Sequence, residues 1–223
     1  MARSHFYIGL AAALFAIVVY GILNVIVQSP RIEVEDSLLA SNAVLEKLVG
    51  LDSLTDIANR RAFNERLEHE FAVSTRTHQP VSLLMVDVEW FKSLNDTIGY
   101  IAGDEYLVQI AAALDSKLSR TTDFLARYGG EEFVVILPAT DAGGAMIAAE
   151  RARKGVAELS LKHSTVPAGF VTVSIGVSTH DGSTSCSTID LTDSADRALY
   201  KAKRNGRNRS EFRRMDSHDS GIA

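Results

Sequence analysis

Between residues 59 and 213, apolar runs of strand length alternate with amphipathic runs of helix length, and this alternation limits the possible folds more than any other feature. Asn59 is a good N-cap, and after it Phe63, Leu67 and Phe71 recur at i, i+4 and i+8 as one helical stripe. Pro80 then introduces Val-Ser-Leu-Leu-Met-Val-Asp-Val, whose composition predicts a buried strand of about eight residues. A helix is expected over 103–120, with Leu107, Ile110, Ala111, Leu114 and Leu118 turned inward. Strands over 124–128 and 133–137 meet at Gly129-Gly130, a hairpin signal. An alanine-rich helix over 141–159, an alternating strand over 170–178, a helix over 191–204 and a short strand over 209–213 complete the series. Interleaved strands and helices with one central hairpin predict a mixed central sheet flanked by helices, an α/β or α+β sandwich. No internal repeat is visible.

Ahead of this region, residues 6–27 carry no charge and are nearly all apolar. A helix of that length spans roughly 33 Å, about the hydrocarbon thickness of a bilayer. A cleaved signal peptide would have a shorter apolar run and a small-residue cleavage site, whereas Val-Gln-Ser-Pro-Arg follows here. A buried core helix is rarely so long without a polar face. Residues 1–30 are therefore expected to form one transmembrane anchor. Arg3 and Arg31 lie on opposite sides of the run, so flanking charge does not orient it. So little chain precedes the run that no extracellular sensor domain is expected. Within 31–51, Asp36 or Ser37 can cap a linker helix with Leu38, Leu45 and Leu48 on compatible faces. A simple linker helix and the start of a coiled coil both remain open. The globular domain is expected over 52–212, and a disordered tail over 213–223.

Charge narrows the function classes. A net charge of −5 gives no general reason to expect nucleic-acid binding. Against that balance, Lys201, Lys203, Arg204, Arg207 and Arg209 crowd into one stretch. The single cysteine, Cys186, excludes an internal disulfide and a CxxC site, and no two histidines fall at i, i+4.

The acids are more informative. Asp87 stands where the first strand runs out, and Glu89 follows it; Glu131 and Glu132 come directly after the Gly-Gly turn. If the first strand lies beside the hairpin, these carboxylates converge on one edge of the sheet. Such clusters usually persist because a hard cation compensates them, and Mg²⁺ binds through one or two carboxylates plus substrate phosphates. A pair of ions can stabilise both the attacking and the leaving oxygen of a phosphoryl-type transfer. Taken alone, Glu131 and Glu132 read better as solvated turn residues. Phe91-Lys92-Ser93-Leu94-Asn95-Asp96 follows the strand, so Lys92 and nearby N–H groups can meet phosphates. Asn95 and Asp104 offer the donor and acceptor mix that reads a purine edge, and Gly99 and Gly103 between them permit a tight turn. Lys203 and Arg207 share a face at i, i+4, suited to a triphosphate tail or to a solvated helix surface.

These stretches together resemble the GGDEF-domain diguanylate cyclases. The resemblance rests on Leu54-Thr55-Asp56-Ile57-Ala58-Asn59-Arg60-Arg61, on Asp87 through Asp104, on Arg127-Tyr128-Gly129-Gly130-Glu131-Glu132-Phe133, and on Tyr200 through Asn208. It implies a nucleotide-cyclase, palm-like fold behind the one transmembrane helix, and condensation of two GTP into cyclic di-GMP with release of two pyrophosphates. By resemblance, Asp87, Glu131, Glu132 and the Val88 carbonyl bind two Mg²⁺ (or Mn²⁺) ions per active site. Glu131, Asp87 and Lys92 become the catalytic set, with Glu131 sometimes cast as the base. Asn95 and Asp104 become the guanine readers, Leu54 lines the base pocket, Phe91 and Lys92 form the phosphate loop, and Lys203 with Arg207 binds phosphates. Each domain holds one GTP, which implies a homodimer for catalysis. GTP is cytoplasmic, which places the domain at the inner face of the cytoplasmic membrane, single-pass, with no nucleic acid as partner.

Arg120-Thr121-Thr122-Asp123 stands at the spacing of the family's RxxD inhibitory motif, and Arg151 matches the arginine that completes that site from a neighbouring domain. Cyclic di-GMP is then both product and feedback inhibitor. The sequence departs from the usual pattern at Asp56, Ala58, Glu89, Trp90 and Tyr100, none of which is an implied metal ligand or guanine contact. Two other functions compete: a catalytically silent cyclic di-GMP receptor working through Arg120 and Asp123, and a different nucleotide cyclase on a related fold. Asp87, Glu131, Lys203 and Arg207 argue against the receptor, and Asn95 with Asp104 and the GGEEF turn argues against the other cyclase.

Overall fold

The computed structural model describes residues 14, 16–20, 50–182 and 186–215. By its internal contacts the chain divides into Met1–Val49 and Gly50–Ala223, and the second unit holds every element named here. In chain order these are α1 (Arg60–Thr77), β1 (Val81–Val88), α2 (Phe91–Ile98), α3 (Tyr100–Lys117), β2 (Phe124–Gly129), β3 (Glu132–Pro138), α4 (Ala142–Glu158), β4 (Val173–His180), α5 (Thr188–Arg204) and β5 (Ser210–Arg214). The five strands form one sheet in the order β2-β3-β1-β4-β5. All pairings are antiparallel except β4 with β5, so the expected mixed sheet flanked by helices is present.

β1 is buried along its whole length because it lies at the centre of the sheet with both faces covered. Its side chains alternate between two cores, as the two-residue strand period requires. Leu84, Val86 and Val88 pack with Leu107, Ile110 and Leu114 of α3 and the alanines of α4. Leu83 and Met85 pack with Phe63 and Leu67 of α1 and with Leu191, Ala195 and Leu199 of α5. α5 lies directly on β4 at Gly176, where an added Cβ would strike the backbone carbonyl of Ala195 and the backbone nitrogen of Leu199.

Asn59 caps α1 as expected, its Oδ1 accepting from the Ala62 N–H at 3.1 Å. The helix expected over 103–120 instead spans Tyr100–Lys117, and a separate helix, α2, precedes it. Gly99, at φ +84°, makes the break between them. Gly103 is inside α3 and forms no turn. Its missing Cβ leaves room for the Asn95 side chain and the Phe91 ring. α5 starts at Thr188, ahead of the expected 191, because Ser187 and Asp190 form a reciprocal capping box. Phe170, expected in the strand, makes only an isolated bridge to Lys162. β5 reaches Arg214 and Met215 is buried beyond it, so the chain stays packed past the domain end expected at 212.

Among the described residues, no helix is long and apolar enough to cross a membrane. The anchor expected over 1–30 lies outside the described residues except at 14 and 16–20, which are helical. The linker helix expected over 31–51 lies outside them up to residue 49, as does the tail from 216.

Candidate active site

The hairpin does lie beside β1, in a register that pairs Asp87 with Glu132. The Val88 N–H donates to the Glu131 carbonyl at 3.2 Å, which holds the turn against the strand end. Arg127 shapes that turn. Its Nε and Nη2 donate to the Gly130 carbonyl at 2.9 and 2.8 Å, while Nη1 donates to Asp52 at 3.0 Å. Burial works to raise the Asp52 carboxyl, but hydrogen bonds from Thr55 and Arg127 hold it below the usual aspartate value. This clasp ties the 52–55 turn, with half-buried Leu54, to β2.

α5 and the turn after it bring the cations: Lys203 is on the last turn of α5, whereas Arg207, expected on the same helix face, lies beyond the C-cap Asn205 at φ +60°. Lys203 Nζ is 2.8 Å from Asp87 Oδ2, and Arg207 Nε is 2.8 Å from Glu89 Oε2. The Arg207 guanidinium also stacks on the Trp90 indole, 4.4 Å from the ring centroid. The basic pair expected at phosphates is therefore seated on carboxylates in this structure. Burial pushes the Asp87 carboxyl above the usual aspartate range against the pull of Lys203, and the Glu131 charge adds to the rise. Glu89 and Glu132 are raised in the same way, by burial first and then by the charge of Asp87. Among the described residues, no three His, Cys, Asp or Glu side chains are grouped to enclose an ion. In the metal-free protein, the Asp87 carboxyl followed by carbon NMR is expected to titrate above the ordinary aspartate range. Lys203→Gln should move it higher still, because the strongest neighbour favouring the charged form is removed, leaving only the weaker pull of Arg207. A midpoint at or below the ordinary value would contradict the burial argument.

α2 and α3 carry the remaining substrate candidates. Phe91 is buried and Lys92 is exposed on the first turn of α2. Trp90, the N-cap, has φ +59° and gives that turn no side-chain cap. Asn95 Oδ1 is buried without a hydrogen-bond partner and faces Gly103, next to exposed Asp104. The two guanine candidates thus stand on facing stretches of neighbouring helices.

A second cavity, of about 190 Å³, is lined by Arg120, Asp123 and Arg151 together with Ser119 and Thr140. Arg120 and Asp123 sit on a turn after α3. Asp123 Oδ2 accepts from the Arg120 and Ser119 N–H groups at 3.2 and 3.3 Å, and the Arg120 guanidinium donates to Thr140 Oγ1 at 3.0 Å. Arg151, expected to act from a neighbouring domain, donates to Ser119 Oγ at 3.1 Å within its own chain.

Residues 49–209 match the family profile described as "Diguanylate cyclase, GGDEF domain". The chain belongs to the GGDEF family. Diguanylate cyclase A of Treponema denticola is 39% identical over 172 residues, covering 76% of this chain and 46% of that protein. Diguanylate cyclase DosC of Escherichia coli is 38% identical over 164 residues, covering 74% and 35%. The chain thus spans less than half the length of these curated relatives. Among solved structures, the coiled coil and GGDEF domain of DgcB from Caulobacter crescentus, in complex with cyclic di-GMP, aligns with a TM-score of 0.68 at 30% identity over 83% of this chain and all of that one. An active GGEEF domain from Vibrio cholerae aligns with a TM-score of 0.62 at 34% identity over 72% and 99%.

Several residues of this GGDEF domain gain a place only in three dimensions. Glu89 and Trp90 stand out in the sequence merely as departures, yet together they hold Arg207. Arg127 lies within the quoted motif, but nothing in the motif says that it clasps the Gly130 carbonyl. His163, a solitary histidine in a polar stretch, carries no signal at all.

Proposed function

We propose that this GGDEF domain condenses two GTP molecules into cyclic di-GMP and two pyrophosphates. The observation that carries the reading is the meeting of Asp87 and Glu132 at one end of the sheet with Lys203 from α5 and Arg207 from the turn after it. Each 3′-hydroxyl would form a P–O bond to the other nucleotide's α-phosphorus as the bond to pyrophosphate breaks. Lys203 and Arg207 would exchange their carboxylate partners for the triphosphate, with Lys92 and the first-turn N–H groups of α2 on the other side. Asn95, with a free buried Oδ1, and Asp104 would read the guanine edge, and Leu54 would line the base pocket. Glu131 would accept the proton of the attacking hydroxyl. Because each domain supplies one such half-site, catalysis would need a homodimer.

Asp87, Glu131, Glu132 and the Val88 carbonyl would hold Mg²⁺ or Mn²⁺, two ions per active site. The donor set fits: buried Asp87 and half-buried Glu132 are raised by desolvation and by neighbouring carboxylate charge, so a cation would relieve them. Few protein ligands plus substrate phosphates is the ordinary arrangement for Mg²⁺. When bound, such ions stabilise negative charge on the attacking and leaving oxygens.

The cavity holding Arg120, Asp123 and Arg151 would bind the product as feedback inhibitor. Arg120→Ala is expected to raise the product concentration giving half inhibition by about tenfold or more, the loss of one charge-assisted contact. Unchanged inhibition would exclude this cavity. Residues 1–30 would anchor the domain at the inner membrane, facing the cytoplasm. In support, Leu14, Ile17, Val18 and Tyr20 are helical and exposed. Retention in the membrane fraction after an alkaline wash tests the anchor, and release would remove it.

The deciding experiment is incubation of the purified chain with GTP and Mg²⁺, followed by mass analysis. Cyclic di-GMP supports the cyclase. Untouched GTP with bound cyclic di-GMP, persisting after forced dimerisation, would make the protein a receptor instead.

A further inference from the structure

We propose that His163 is a positioning residue for the triphosphate: it holds the Trp90 backbone, and through the Trp90 indole it places Arg207. This rests on the reading of Arg207 as a phosphate ligand. His163 lies in the loop between α4 and β4, yet it is only 1% exposed. The loop is stapled at its base, where the Val171 N–H donates to the Leu161 carbonyl at 2.8 Å and the His163 N–H to the Gly169 carbonyl at 3.0 Å. The ring therefore has a fixed origin. Its Nε2 is 3.2 Å from the Trp90 carbonyl, and its Nδ1 is 3.3 Å from Thr165 Oγ1. A carbonyl only accepts, so Nε2 carries the proton, and Nδ1 shares a hydrogen bond with the Thr165 hydroxyl. Thr165 in turn shares a 2.9 Å hydrogen bond with Ser93. The loop thus grips the first turn of α2 at two points.

Trp90 is the residue that needs such a grip. Its φ of +59° is the left-handed region, unfavourable for a bulky side chain. That twist sends the indole across Arg207, at 4.4 Å, while Glu89 holds the Arg207 Nε at 2.8 Å. The guanidinium is sandwiched between a ring and a carboxylate at the edge of the carboxylate cluster. When GTP displaces Glu89, the ring remains to keep Arg207 over the phosphates. His163 is then a determinant of substrate affinity without touching the substrate.

The test compares GTP kinetics of the full chain with those of Trp90→Ala, His163→Leu and His163→Gln. Trp90 is half exposed, so its truncation does not endanger the core. It is expected to raise KM by about tenfold and change kcat by less than about threefold, the pattern of lost ground-state binding. His163→Leu should do the same, and His163→Gln, which keeps an N–H at the position of Nε2, should recover most of the loss. The double variant should be no worse than the worse single one, because both act through one contact. An unchanged KM for Trp90→Ala, a glutamine no better than leucine, or additive effects would each overturn the proposal. If His163→Leu does not fold, Trp90→Ala and His163→Gln decide. If the wild type forms no cyclic di-GMP, the cyclase reading fails separately. Binding of 3′-deoxy-GTP to the same variants then decides, with about tenfold weakening expected and unchanged affinity counting against it.

Discussion

Glu131→Gln is expected to lower cyclic di-GMP synthesis by about 10³-fold or more while leaving the fold intact, since loss of a base alone costs about 10² to 10⁴. The two halves of this residue have separable duties. Its carbonyl accepts from the Val88 N–H at 3.2 Å and so holds the turn against β1, and glutamine keeps that carbonyl. The side chain, half-buried beside Asp87 and Glu132, is where a proton acceptor and a metal-binding charge are both required. An amide offers neither. The rate is measured at saturating GTP and Mg²⁺, with a thermal melt beside it to show the fold unchanged. Activity close to wild type in the folded variant would remove Glu131 from the mechanism.

Gly176→Leu carries the largest expected loss of stability. Gly176 is buried in β4, between β1 and β5, and α5 rests its backbone on it. A Cβ there would meet the Ala195 carbonyl, the Leu199 nitrogen and, at 2.8 Å, the Leu199 Cα. A flexible side chain could yield, but helix backbone cannot, so α5 must lift from the sheet. Overpacking usually costs about 1–3 kcal/mol, and this site falls at or above the top of that range. For a chain of this size that is a fall in Tm of about 10 °C. Because α5 also carries Lys203 towards Asp87, activity should fall with stability. Gly143→Ala is the control: it is exposed on α4 with only Asp141 Oδ1 nearby at 3.6 Å, and it should be neutral or slightly stabilising. Equal melting of the two variants would refute the close-approach argument.

The elements most legible in the sequence were those with an unambiguous period or cap. β1 runs over the expected apolar stretch because a strand buried on both faces has no polar positions to blur its ends. Asn59 caps α1 where expected, and Asp141, at the start of the helix expected over 141–159, caps α4, each through a local side-chain-to-backbone bond. The boundaries that moved lack such signals. The stretch of α2 and the start of α3 read as a loop and a tight turn ahead of one helix from 103, because nothing local distinguishes Gly99, which adopts a positive φ, from Gly103, which packs against Asn95. The start of α5 is polar, and its exposed Ile189 breaks the apolar stripe that would have marked it.

Residue types and order alone thus determined the alternation of strands and helices, the acids at the end of β1 and after the Gly-Gly turn, and the membership of the GGDEF family. These follow from local propensity, hydrophobic period and motif spacing, all carried within short stretches of chain. Only the tertiary structure decided that Lys203 closes on Asp87 and Arg207 on Glu89 and Trp90. It also decided that Arg127 clasps Gly130 and that Arg151 joins Arg120 and Asp123 around one cavity. Those contacts join residues brought together by the sheet order and by helix packing. Charge and hydrogen bonding act through distance in space, and spacing along the chain does not encode that distance until the chain has folded.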